Sequence, residues 1–264
     1  MLVALWLLQG CGPKSTAVFD QYGYLNDAYH YRVVTTSQQL MGQEWLLDNF
    51  YRRGRDLEAK SAAGYLIDYL LDTNGDGKPD RTEQTFLYDL RFTHRAHDAH
   101  VWLRTIPMST RLREMELRVL AQRYVDAVAG SGFEAVRLDN GSVVGESQRF
   151  AAKLLERGPA KVAGQQAYRV TFDVVNVDEE TVKSGSRTDR VSIVLIRPPF
   201  DYVPPSTGPR VSFPAVMLAG YANLPEDFAK DVGSFDQFVG RIQFGETIGY
   251  QQSPLERLTP DTTS

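Results

Sequence analysis

Cysteine is almost missing from this 264-residue chain, occurring once, at position 11. A single thiol rules out an internal disulfide framework and every metal site built on several thiolates. Long apolar runs are missing too: none reaches the ~18–20 residues of a spanning helix, which excludes a polytopic membrane protein. Neither sign of charge dominates, with 29 basic and 33 acidic residues and a net charge of −4. The basic residues are scattered among acids, so the broad electropositive face that a nucleic-acid partner needs is lacking. No G-x-S-x-G, P-loop, G-x-G-x-x-G or H-E-x-x-H motif occurs, so the common short signatures of hydrolases, nucleotide binders and zinc peptidases are absent. What is present is a 42% hydrophobic composition over a length sufficient for one large or two modest domains with a real core.

The position of the cysteine says more than its rarity. Residues Leu2 to Leu8 form a short apolar run, followed by Gln9, Gly10, Cys11 and the polar Gly12-Pro13-Lys14-Ser15-Thr16. An apolar stretch of this length ending at a small residue has the shape of a signal peptide and is too short to span. The segment Leu8-Gln9-Gly10-Cys11 resembles the lipobox of bacterial lipoproteins. Gln9 is not the small residue usual at its position, and no Lys or Arg precedes the run; a start upstream of Met1 would supply one. The resemblance implies that residues 1–10 are removed and that Cys11 carries a diacylglycerol and an acylated amino terminus. That is more lipid than the two signals stable anchoring requires. Residues 11–17 would then be a lipidated tether on a bilayer, in the cell envelope. In lipoprotein sorting, Asp after the cysteine retains the protein in the inner membrane, so Gly12 favours the outer membrane where a cell has one.

Beyond the tether, the pattern predicts an α+β protein of largely antiparallel sheets packed against a few helices, in one or two lobes at 18–130 and 131–250, with a flexible tail at 251–264. Aromatic and β-branched residues between Val18 and Val34 argue for strands. A helix is expected over 38–53, with Leu40, Met41, Trp45, Leu47 and Phe50 on its apolar stripe, and another over 111–128, with Leu112, Met115 and Val119 on one face. Strands are expected at 65–71, 86–90, 101–106, 167–176, 190–197 and 215–221. Asn223-Leu224-Pro225 should open a helix with Phe228, Val232, Phe235 and Phe238 inward, followed by a closing strand over Gly240–Phe244. This ending, over residues 160–245, is similar in pattern to the PsbP, DcrB and Mog1 group of small α/β folds, a resemblance that carries no functional residue across.

One motif is chemically specific. Residues 72–83 read Asp72-Thr-Asn74-Gly-Asp76-Gly77-Lys78-Pro79-Asp80-Arg-Thr-Glu83, matching D-x-[DN]-x-[DN]-G-x5-E at each fixed position. Oxygen ligands at alternate positions converge on a hard cation, the glycine allows the sharp turn, and the last carboxylate can close the site bidentately. Asp72, Asn74, Asp76 and Glu83 would ligate calcium by side chain, Lys78 by carbonyl, and Asp80 directly or through water. The loop resembles an EF-hand loop, and more closely the calcium loops of secreted bacterial proteins, where strands replace the flanking helices. Pro79 and the lack of a second loop point to a structural clip and away from a paired sensor. The same Asp, Asn and Gly content also suits a turn that holds no ion.

His94, His97 and His100 fall within seven residues and leave two readings open: a transition-metal site, or a polar connection between strands. Two functions from different classes follow. The first is a non-enzymatic, lipid-anchored envelope component that assembles with envelope protein partners. The alternative is a secreted-side hydrolase or carbohydrate-binding module whose site forms only in the fold. A deep pocket with convergent carboxylates, or one lined by the His94–His100 segment, would favour the alternative.

Overall fold

A computed structural model describes residues 17–20, 22–26, 29–35, 40–47, 89–96, 98–131, 136–137, 143–144, 150–176, 188–202 and 212–245. Cys11, the 72–83 loop, His97, the expected strand at 65–71 and the tail lie outside the described residues. Three short strands open the chain, β1 (Ala17–Asp20), β2 (Gly23–Asn26) and β3 (Tyr31–Val34), as the aromatic text predicts. They are followed by β4 (Trp45–Leu47), β5 (Leu90–His94), β6 (His100–Pro107), helix α1 (Leu117–Ser131) and a two-stranded ribbon of β7 (Val136–Arg137) and β8 (Val143–Val144). Four longer elements come next: β9 (Phe150–Val162), β10 (Gln165–Asn176), β11 (Thr188–Ile196) and β12 (Ala215–Asn223). Helix α2 (Phe228–Gly240) and β13 (Ile242–Phe244) end the series.

Two sheets organise the molecule. Strands β4, β5, β6, β12, β11, β10 and β9 form one seven-stranded sheet in that order, and β1, β2, β3 and β13 form a four-stranded one. Each described pairing in them is antiparallel, so the molecule is α+β. Within the large sheet β6 bonds directly to β12.

The sequence of β12, AVMLAGYAN, explains why it sits near the middle: all nine residues are buried, so both faces must be covered. Val216, Leu218 and Ala222 belong to one apolar cluster with Leu120, Tyr124 and Val128 of α1. Met217, Ala219 and Tyr221 point the opposite way, into a second cluster with Phe235 and Phe238 of α2 and Tyr31 and Val33 of the small sheet. The large sheet is therefore the middle layer, with α1 on one face and α2 plus the small sheet on the other.

Three expectations need correction. No helix occupies 40–47: Leu40 and Met41 precede strand β4, and Leu47 is 47% exposed where the expected stripe would have buried it. Trp45 lies opposite His94 in the ladder, its ring edge-on to the imidazole at 5.0 Å, and this cross-strand contact outweighs the weak helical periodicity. Helix α1 starts at Leu117 and not at 111. A 3₁₀ turn over Thr110–Leu112, capped by Ser109 accepting from the Arg111 amide at 3.2 Å, precedes it and shifts the helical phase, so Val119 faces solvent. Helix α2 begins after Asp227. Asn223 instead ends β12, its side chain accepting from the Leu224 amide at 2.8 Å and donating to Tyr221 and Asp227.

Strand β9 was not expected at all. It pairs with β10 through a two-residue turn, Ala163-Gly164, with φ of 49° and 79°. Two successive left-handed residues match the right-handed twist of the flanking strands, the geometry that glycine in the second place makes possible.

Candidate functional site

At the end of the large sheet where β6 and β11 stop and β12 begins, a cleft of about 810 Å³ opens between the 113–118 segment, the β9–β10 turn region and the 197–201 segment. Arg197 is part of its lining. The guanidinium is half-buried and donates to the main-chain carbonyls of Arg113 and Met115, fixing the approach to α1; burial is the main cause lowering its pKa. Arg113 is in turn held by Asp201 in a two-pronged pair at 3.0 and 2.7 Å. That pair holds the Asp201 carboxyl below the ordinary range. The exposed Lys161 and Arg118 also line it, and Pro159, Pro198, Pro199 and Pro214 with Tyr168 supply a partly apolar wall.

Among the described residues, the lining includes no Ser, Cys or His. Its two carboxylates other than the engaged Asp201, Glu114 and Glu116, are on the exposed approach to α1, and Glu116 pairs with Arg118 at 3.3 Å. The described lining thus combines arginines held by protein partners with a proline-rich wall.

The histidine segment is not in the cleft. His94 ends β5 and His100 begins β6, so the segment is the polar connection of a hairpin. The buried His94 ring accepts at Nδ1 from the Ala96 amide at 3.2 Å, which places its hydrogen on Nε2, directed at Glu44 at 3.3 Å. Asp231 of α2 lies 4.0 Å from the same nitrogen. His100 instead meets Asp98 at 3.4 Å and shares Nδ1 with Thr93 at 3.3 Å. The two imidazoles are thus engaged by different partners. Among the described residues no group of three or more His, Cys, Asp or Glu is placed to hold a metal.

A third polar centre joins the layers. Tyr31 of β3 and Thr105 of β6 both donate to one oxygen, Oδ2, of Asp89, each at 2.7 Å. The sequence singled out none of these residues, nor Arg197. An acid just before a strand and an arginine just after one are unremarkable in text, and only the fold surrounds them. Cys11 and the loop residues Asp72, Asn74, Asp76, Lys78, Asp80 and Glu83 lie outside the described residues.

No family model matches the chain, and no curated protein matches its sequence. Among solved structures it is similar to the solution structure of cyanobacterial PsbP (CyanoP) from Synechocystis sp. PCC 6803. That match has 13% identity and a TM-score of 0.41, covering 90% of this chain and 99% of that one. It is also similar to LpqN, described as involved in cell envelope biogenesis of Mycobacterium tuberculosis, at 7% identity and a TM-score of 0.33, covering 58% of this chain and 70% of that one. Likenesses at this level assign no activity to the chain.

Proposed function

We propose that the protein is a lipid-anchored component of the bacterial cell envelope, with a calcium-clipped loop at 72–83 and a non-enzymatic body that works by assembly or interaction with envelope proteins. The observation that carries this reading is the Leu8-Gln9-Gly10-Cys11 segment at the end of the short apolar run. The fold supports it by position: β1 begins at Ala17, six residues past Cys11. Six extended residues reach about 20 Å, so an anchor on Cys11 would keep the four-stranded sheet next to the bilayer. No helix among the described residues is long and apolar enough to cross a membrane, and the anchor would supply the attachment instead. The cleft, lined by the Arg113–Asp201 pair, the engaged Arg197 and four prolines, supports a binding role.

Two measurements on the full chain test the reading. Mass spectrometry of the membrane fraction should find Cys11 acylated at the mature amino terminus. Cys11→Ser should move nearly all of the protein out of that fraction. An unmodified chain continuing upstream of residue 11 in membranes would overturn the anchor. For the loop, calcium at a hundredfold excess over Kd should add about 2.7 kcal/mol to stability by mass action, and Asp76→Ala should remove the gain. A thermal midpoint indifferent to millimolar calcium would exclude the clip.

A further inference from the structure

The large sheet ends on β9, a thirteen-residue edge strand that carries two adjacent exposed leucines, Leu154 and Leu155, each 42% exposed. Long edges with exposed apolar residues are templates for pairing with another strand, and proteins usually blunt them with charge, proline or a bulge. This edge has all three, in Lys153, Glu156, Pro159 and a register shift, and their placement is self-complementary.

The shift lies where Phe172 opposes Leu154 and Thr171 opposes Glu156, leaving Leu155 as the extra residue. Phe172, Val174 and Val170 all face α1, so their partners Leu154, Ala152 and Arg157 lie on that face. Lys153 and Glu156, opposite Asp173 and Thr171, lie on the other. In a regular strand, residues three apart point to opposite faces. Here the bulge puts Lys153 and Glu156 on the same one.

We propose that β9 is the contact between two copies of this chain, paired antiparallel about a two-fold axis between Leu154 and Leu155. In a regular strand this register would set residues of opposite faces against each other; the bulge removes that conflict. Lys153 of each copy then opposes Glu156 of the other, Leu154 opposes Leu155, and Ala152 opposes Arg157, with no like charges facing. An isologous contact of this kind makes each favourable pair twice. A generic strand would meet a bulged, charged edge without these matches, which selects a second copy as the occupant.

Cross-linking of the full chain in membranes tests this. One strand spacing and one residue step put the Cα atoms of the two Leu154 residues about 6 Å apart, within disulfide range. Leu154→Cys should therefore form a disulfide dimer under mild oxidation, above the background of the parent chain with Cys11 alone. In that background Lys153→Glu and Glu156→Lys should each reduce the dimer at least tenfold, because like charges then face each other twice. Co-expressing the two charge variants should restore it, since each supplies the charge the other needs. Circular dichroism of each variant confirms folding. Absence of the Leu154→Cys dimer, cross-linking only to other proteins, or a dimer indifferent to charge reversal would overturn the proposal.

Discussion

Replacing Gly220 by alanine should lower stability by about 3 kcal/mol, which for a domain of this size is roughly 6–12 °C in thermal midpoint. Gly220 is in β12 directly opposite Trp102 of β6, and the indole lies across the glycine. A Cβ added there would sit 2.1 Å from two ring carbons, Cε2 and Cζ2, and 2.7 Å from Nε1. The ring has no simple escape: it is 2% exposed and packed with α1 in the first apolar cluster. Either β12 and β6 separate or the indole leaves its place, and leaving forfeits burial whose loss costs about 3–5 kcal/mol for a large aromatic. Trp102→Ala alone should cost a similar amount by opening a cavity. The double variant should be more stable than the sum of the two losses predicts, because the added methyl then enters the space the indole vacated. Denaturant unfolding of the four proteins measures this cycle, and simple additivity would show that the two residues do not share the space.

The same pair shows what was legible in the sequence. Strand β12 reads as a strand because eight small or apolar residues, Ala215 to Ala222, between Pro214 and Pro225 suit a pleated layer covered on both sides. Nothing local says that Gly220 faces Trp102, more than a hundred residues away. The last hundred residues were legible for a similar reason: β10, β11 and β12 occur where strands are expected, and Phe228, Val232, Phe235 and Phe238 of α2 face the core as their spacing predicts. Strand β9 was not, since Phe150-Ala-Ala-Lys-Leu-Leu-Glu-Arg has the composition of a helix and Ala163-Gly164 lacks the Asn-Gly signature of a tight hairpin. Its strand state comes from pairing with β10, a tertiary cause that overrides local propensity. Trp45 is the converse case, a residue placed on a helical stripe by spacing alone and drawn into a strand edge by His94. For the site, the fixed-spacing motifs at Cys11 and 72–83 lie outside the described residues, whereas the cleft depends on Arg197 meeting the carbonyls of Arg113 and Met115 across the end of a sheet, which no local spacing signals.

Asp89→Leu should destabilise the protein by about 2–5 kcal/mol, because it strands two hydroxyls at once. Tyr31 is fully buried and Thr105 nearly so, and both donate to the carboxylate oxygen the substitution removes. Each buried hydroxyl left without its acceptor costs about 1–3 kcal/mol. The loss falls between layers, since Tyr31 belongs to the small sheet and Thr105 to the large one. Asp89→Asn keeps an acceptor and should behave differently, in a way pH reveals. Burial raises the Asp89 pKa above 3.8, against the opposing pull of the Tyr31 and Thr105 hydrogen bonds and the Arg104 charge. A carboxyl with a raised folded pKa binds its proton more tightly in the folded state, so its contribution to stability is largest in acid. The contribution declines as pH rises from the unfolded pKa near 4 through the folded one, and is constant above. Asn does not titrate, so the stability of Asp89→Asn relative to the parent should climb across that window and then level off. Tyr31→Phe leaves the carboxylate only Thr105 as hydroxyl donor, which should raise the Asp89 pKa further and move the plateau to higher pH. Unfolding free energies of the three proteins between pH 3 and 8 measure these differences; a flat difference for Asp89→Asn would mean that burial does not disfavour the Asp89 charge.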